Sequence, residues 1–420
     1  MRQQPRQFAL DLRPGEHAAA LHPAEQPGWA VIAKDGRRWQ ERALTTQQLL
    51  EIAPGLSGQP DVFLSVNRFW GQRRLVIRLR ALGACYADLD TYRVPGYERA
   101  PAAEVFTAAL LLLTEAKIPG PSLVLSTGRG LALLWLHTPA PQPALPRWQA
   151  CQERIHQVLR PLGADARAID SARVLRLAGT INTKSGGRPV EIIDGPREAW
   201  HYEDLWREIL PRTREELALV RGLSPARARR ERRNQLPASP RTKCTMGQTL
   251  VADIEALLLH RYGAPARQIP PGERNAYMFP LAIALALMVP ADAIARELAG
   301  WAAEWTAWRL REARKCGAAA IRRAFEASKP GAATDRRYTP SPKWFIRSLE
   351  VTEDEMRAAG LRYIVSPSVR LERRAALEQA SGRHGKRRRG RQSRAEYLAA
   401  VREAAVERRA RVKERIEELR

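Results

Sequence analysis

Tyr86-Ala87-Asp88-Leu89-Asp90 places two carboxylates two residues apart at the end of an apolar run. Alternate side chains of a strand share a face. Asp88 and Asp90 are therefore predicted to project together from a rigid edge, at the separation from which paired carboxylates grip Mg²⁺ or Mn²⁺. A third acidic residue would complete such a site. The candidate is Asp170 in Ala168-Ile169-Asp170-Ser171-Ala172-Arg173-Val174-Leu175-Arg176-Leu177-Ala178-Gly179-Thr180-Ile181-Asn182-Thr183-Lys184, where Arg173, Arg176 and Lys184 supply cations for phosphate oxygens. Between the two acidic segments, Leu123-Val124-Leu125-Ser126-Thr127-Gly128-Arg129-Gly130-Leu131-Ala132-Leu133-Leu134-Trp135 reads as strand, glycine turn, strand. Such a turn lets backbone approach a ligand closely.

In this order the three segments resemble the archaeo-eukaryotic primase superfamily, in the form found in replication proteins of plasmids and mobile elements. The resemblance covers residues 60 to 195. In that family a hydrophobic strand ends in D-x-D, a Ser/Gly turn leads to a His, and an Asp follows apolar residues. The resemblance implies a primase-type mixed-sheet catalytic domain with Asp88, Asp90 and Asp170 as catalytic metal ligands for Mg²⁺ or Mn²⁺. It further implies that Ser126, Gly128, Arg129 and Gly130 line a nucleotide site, with Arg173, Arg176, Asn182 and Lys184 on phosphates of nucleotide or template. The run Arg176-Leu177-Ala178-Gly179-Thr180-Ile181-Asn182-Thr183-Lys184 matches a tail that many mobile-element members carry after the third motif. The chain departs from the pattern where the family's His falls, at Ala132, since an alanine cannot hydrogen-bond an incoming triphosphate. His137 lies an odd number of residues further along, which puts it on the other face of the same strand.

Length and charge agree with this chemistry. With 420 residues, 45% of them hydrophobic, the chain has room for two or three domains and a substantial core. Its 70 Lys and Arg against 45 Asp and Glu give a formal charge of +25, and the pI is near 10.9, so a polyanionic partner is expected and nucleic acid is the usual one. A ribosome surface or an anionic membrane would need the same charge, but neither accounts for paired aspartates on a strand. Cys85, Cys151, Cys244 and Cys316 show no metal-ligand or disulfide spacing. The N-terminus is not followed by a signal-type apolar segment, and the run Leu281 to Val289 is too short to span a bilayer. A cytoplasmic protein with no membrane association is expected.

Along the chain, residues 1–210 are predicted as an α+β primase-polymerase-like domain. Gly28 to Ala43 should form a hairpin, followed by a helix capped by Thr45; Val62 to Asn67 should be a strand, Ala102 to Ala116 and Pro146 to Leu162 helices, and Val190 to Ile193 a strand closing the sheet. Residues 211–248 read as a basic, Pro/Arg-rich linker. Residues 249–335 are predicted as a helical domain, in which Pro271-Gly272-Glu273-Arg274-Asn275 opening an apolar helix resembles the small domain found C-terminal to such primases. Trp301, Trp305 and Trp308 fall on one helical face, a core stripe by spacing, with base stacking as the alternative. Residues 336–420 are predicted as a helical, basic DNA-binding region, with Glu355 in capping-box position and Lys386, Arg387, Arg388, Arg389 and Arg391 as a phosphate-binding cluster.

The expected function is that of a replication protein of a plasmid or integrative element, making primers or DNA on a single-stranded template from nucleoside triphosphates by two-metal transfer. The alternative is an initiator that binds origin DNA and has little or no polymerase activity. A metal-dependent nuclease would use the same aspartates but leave the glycine turn unexplained. The sequence holds no G-x-x-x-x-G-K-[ST], so unwinding would fall to a separate helicase.

Overall fold

A computed structural model of the chain describes residues 14–24, 27–37, 39–165, 168–210, 240–263, 269–306, 308, 310–327 and 337–380. The first half opens with α1 (Pro14–Leu21), the hairpin β1 (Ala30–Asp35) and β2 (Trp39–Leu44), and α2 (Thr46–Ile52). Thr45 fixes the start of α2, because its hydroxyl accepts from the Gln48 N–H while the Gln48 side chain accepts from the Thr45 N–H. There follow β3 (Val62–Ser65), β4 (Arg68–Phe69), β5 (Leu79–Leu89), α3 (Ala102–Glu115), β6 (Leu123–Ser126), β7 (Leu131–Pro141), α4 (Leu145–Leu159), β8 (Val174–Arg176), β9 (Ile181–Asn182), β10 (Arg188–Pro189), β11 (Glu191–Asp194) and α5 (Tyr202–Ile209).

These strands form two sheets and a ribbon. One sheet has the order β11-β6-β7-β5-β4, the other β2-β1-β3-β8, and β9 pairs with β10; neighbouring strands are antiparallel throughout. β5 and β6 point the same way on either side of β7, so α3 is the crossover between them, as the alternation of segments predicts. β5 is buried along nearly its whole length, which is why its sequence is a continuous apolar run rather than an alternating one. α4 packs on it directly. Trp148 donates its ring N–H to the Ala84 carbonyl at 2.9 Å, and the Gln152 side chain accepts from the Tyr86 N–H at 2.8 Å, near the bulge between Leu82 and Ala84.

The second half is helical: α6 (Pro240–Tyr262), α7 (Arg274–Ala286), α8 (Ile294–Trp305), α9 (Leu310–Ala327), α10 (Pro342–Ser348), α11 (Glu353–Ala358) and α12 (Pro367–Ala380). The α+β class with a helical C-terminal region is as the sequence predicts. α6 starts at Pro240, earlier than the boundary at 248 that composition suggests, because Cys244, Leu250 and Ile254 already belong to its buried face. Trp301 and Trp305 are buried and stacked with ring centroids 5.8 Å apart, so the indole stripe is core; Trp308 lies past the end of α8. Thr352 and Glu355 form the expected capping box at α11. Among the described residues no helix is long and apolar enough to cross a membrane.

α8 is seated on the segment that leads into β5. The buried Glu297 carboxylate accepts from the Val76 N–H at 2.8 Å, and Arg78 reaches Glu255 at 2.8 Å and Glu304 at 2.5 Å. The Trp301 ring N–H donates to Glu255 at 3.0 Å. Gly300 lies at this contact, where a Cβ would fall 2.6 Å from Cδ2 of Leu75 and push that side chain aside.

A candidate carboxylate site at the end of β5

β5 ends at Leu89, and Asp90, with φ −82° and ψ 58°, has already left the strand to open a short 3-10 turn. The expected strand pair is thus corrected: the alternation stops one residue short, and Asp90 is placed by the turn. The two carboxyl groups nevertheless remain neighbours. Burial pushes the Asp88 carboxyl above its ordinary range, and the negative charges of Asp90 and Asp165 push the same way, against the Arg173 guanidinium.

Asp165 carries no sequence signal of its own. Backbone contacts bring it in: Leu89 bridges to Ala164, the Asp165 N–H donates to the Asp88 carbonyl at 2.9 Å, and the Asp90 N–H donates to the Gly163 carbonyl at 2.9 Å. Gly163 sits at φ +78°, and a Cβ there would lie 2.9 Å from the Asp90 carbonyl oxygen, so only glycine lets the two segments meet. Arg173 Nη2 lies 3.7 Å from Asp88 Oδ2 and 3.5 Å from Asp165 Oδ2.

Asp170 arrives from the other sheet, on the segment ahead of β8. It is 6% exposed, and its Oδ1 accepts from the Ala172 N–H at 3.0 Å. Tyr86, two residues before Asp88, donates its hydroxyl to the Asp170 carbonyl at 2.8 Å, and Asn67 Nδ2 donates to the Ser171 carbonyl at 2.9 Å. Arg296 of α8 brings Nη2 to 3.5 Å from Asp170 Oδ1. Each of the three expected ligands therefore faces its own arginine, with Arg93 at 3.3 Å from Asp90. Among the described residues no group of three or more His, Cys, Asp or Glu side chains is drawn together in a way that could hold a metal. The candidates are all carboxylates, the donor type that a hard divalent cation takes, but each is paired with an arginine and not gathered with the others.

The glycine turn closes against the same strand end. A Cβ on Gly130 would collide with the Leu89 carbonyl oxygen, and one on Gly128, at φ +85°, would fall 2.6 Å from Ser185 Oγ. Asn182 Nδ2 donates to the Thr127 carbonyl at 2.6 Å, and Arg188 Nη1 donates to that of Gly128 at 3.1 Å, so the β9–β10 ribbon holds the turn. Arg129 stacks over Tyr92 at 4.2 Å, and the Thr91 hydroxyl donates to the Arg129 carbonyl at 3.3 Å. Ser126 is in register with Leu131, which pairs with Leu89, so it lies on the sheet face opposite Asp88. Arg176 pairs with Asp61 at 2.7 Å and Lys184 with Asp35 at 2.8 Å; both cations are met within the protein. Ala132 lies directly opposite Asp88 in the sheet and is 1% exposed. His137 is buried edge-on against Trp206, donating Nδ1–H to the Thr138 carbonyl at 2.8 Å, and burial lowers its pKa to about 4. It takes no part in the site. Lys386, Arg387, Arg388, Arg389 and Arg391 lie outside the described residues.

No family model matches the chain. A curated "Replication protein" of Clostridium perfringens is 29% identical over 207 residues, 48% of either chain, so the present chain spans about half the length of the curated relative it matches. Among solved structures, the primase RepB' is similar over 87% of this chain and 99% of its own at 15% identity and a TM-score of 0.33. The archaeo-eukaryotic primase domain of the cyanophage S-2L primase-polymerase is similar over 46% of this chain and 94% of its own, at 16% identity and a TM-score of 0.32. The curated relative is a replication protein, the kind of protein that the motif order resembles.

Proposed function

We propose that the chain is a primase-polymerase-like replication protein of a plasmid or integrative element, joining nucleotides on a single-stranded DNA template. One observation carries the reading: the Asp88 and Asp165 carboxylates share the Arg173 guanidinium at the end of β5, and Tyr86 of the same strand is bonded to the Asp170 segment ahead of β8. Mg²⁺ or Mn²⁺, held by Asp88, Asp90 and Asp170, would supply activation of a 3′-hydroxyl and neutralisation of triphosphate charge. The chain's own groups would do the rest. Arg173 is free to turn from the carboxylates toward phosphate oxygens once another positive charge offsets them. The Gly128-Arg129-Gly130 turn would present backbone to the nucleotide, with Arg129 stacked on Tyr92, two residues past Asp90. The Lys386 to Arg391 cluster would add sequence-independent contacts to DNA.

A second reading, an initiator that binds origin DNA with little or no polymerase activity, draws on Ala132, which offers no donor where it faces Asp88. The test is incorporation of labelled nucleotides on a single-stranded template with Mn²⁺ or Mg²⁺. Asp88→Asn and Asp90→Asn should each abolish incorporation while retaining a cooperative unfolding transition. Undiminished synthesis by the double variant would remove the catalytic reading, and origin-selective binding without synthesis by the wild type would establish the initiator.

A further inference from the structure

We propose that Trp70 and Arg80 form a stacking platform for a base of single-stranded nucleic acid, an assignment that rests on the reading of the chain as a replication protein working on a single strand. The platform stands where β4 gives way to β5, beside the junction with the helical region. Trp70 is 63% exposed, whereas Trp135, Trp148 and Trp206 are buried. Its backbone is nonetheless held on both sides. Phe69 exchanges hydrogen bonds with Trp29 at 2.9 and 3.0 Å, and the Trp70 N–H donates to the Arg78 carbonyl at 2.7 Å. The indole is thus displayed from a fixed frame, although the core makes little use of it. An aromatic face held in this way suits any base, because every base has a π-face of its own.

The surroundings favour a nucleic-acid strand over an apolar protein partner. The Arg80 guanidinium lies 4.2 Å from the centre of the indole ring, and its stem lies against Gly28, where a Cβ would fall 2.9 Å from Arg80 Cγ. A cation over one face of an indole leaves the other for a base and sets positive charge beside the adjoining phosphate. Arg73, exposed, follows three residues after Trp70; among the described residues neither Arg73 nor Arg80 has a carboxylate partner. The nearby acid, Glu255, is already met by Arg78 at 2.8 Å. Next to the indole opens a cavity of about 220 Å³ walled in part by Ile77, Leu79, Gln142, Gln248 and Met288. Apolar walls with two side-chain amides offer a base both contact and hydrogen bonds to its edge. Arg80 and Asp88 are eight residues apart on β5, about 26 Å at the rise of a strand, so the platform can be altered without touching the carboxylates.

The test is fluorescence anisotropy of a dye-labelled oligothymidylate titrated with the full-length chain in the absence of divalent ions. Trp70→Ala should weaken binding by about tenfold, in the lower part of the range for one base on one aromatic ring. Trp70→Phe, which keeps an aromatic face, should recover most of the loss. An abasic strand of equal length presents the same phosphates without bases, and on it Trp70→Ala should bind as the wild type does. Arg80→Ala and Arg73→Ala should each lower the slope of log K against log salt by about 0.7, the value for one phosphate contact on a single strand, while Trp70→Ala leaves the slope unchanged. Equal affinity of wild type and Trp70→Ala for oligothymidylate, or an equal loss on the abasic strand, would overturn the platform. So would sedimentation showing that Trp70→Ala turns a wild-type dimer into monomers, which would give the indole to a second copy of the chain. A wild type that holds neither strand would bring down the replication reading itself, whereas tight binding indifferent to Trp70 strikes the platform alone.

Discussion

Ala132 is the uncharged residue that stands directly opposite Asp88 across the sheet. Directly opposed residues of neighbouring strands have their side chains on one face, so position 132 looks onto the same space as Asp88. Ala132→His would therefore put an imidazole beside the carboxylates, within reach of a triphosphate. If the strand is aligned with the family as proposed, incorporation should rise by about a hundredfold, the lower end of what a well-placed proton donor contributes. Alanine here is only 1% exposed, however, and a larger side chain in a filled space costs about 1–3 kcal/mol. A collapse of thermal stability without gain of activity would show that position 132 points into packed core. At this scale the sequence was partly legible. Asp88 and Asp170 stand in motifs that can be quoted; Asp165 does not, because its approach depends on Gly163 and on backbone bonds between segments far apart in the chain.

Elements reveal their beginnings well and their neighbours poorly. Thr45 with Gln48 and Thr352 with Glu355 are local signals, and both form the caps that their spacing predicts. The strand over Asp90 fails for an equally local reason, since the turn that follows overrides alternation. That α8 would press Glu297 onto Val76 is invisible to any local pattern, because a glutamate on a helix ordinarily marks its wet side. Here burial raises the Glu297 carboxyl from 4.5 to about 7, with Asp170 adding to the rise and Arg296 and the Val76 N–H opposing it. The folded state thus holds the proton more tightly than the unfolded chain, so the stability associated with it is complete below pH 4.5 and is lost as pH rises toward 7. A shift of that size, at about 1.4 kcal/mol per unit, amounts to about 3 kcal/mol. Glu297→Gln should accordingly be more thermostable than wild type at pH 8 and indistinguishable from it near pH 4, measured by thermal unfolding across that range. The opposite ordering would mean that the charged pairing with Arg296 outweighs burial.

For the whole molecule, composition points to a polyanionic partner and the structure gives the connection between the halves. The excess of 25 positive charges is a property of the entire chain, and the segment from 381 to 420 carries a dense share of it. Contacts from such a segment are electrostatic and blind to sequence. Deleting residues 381–420 should weaken binding to origin and random duplexes alike and flatten the salt dependence, each lost phosphate contact removing roughly 0.9 from the slope of log K against log salt. An unchanged slope would show that the segment does not touch DNA; selective loss of origin binding would place specificity there. What no compositional argument could supply is the junction itself, where Arg78 of the sheet region joins Glu255 and Glu304 of the helical one. The stacked indoles of Trp301 and Trp305 lie at that junction, one of them giving its ring N–H to Glu255. Parting the two halves should therefore alter the surroundings of these two among the chain's eleven tryptophans, an internal optical probe of the junction that needs no added label.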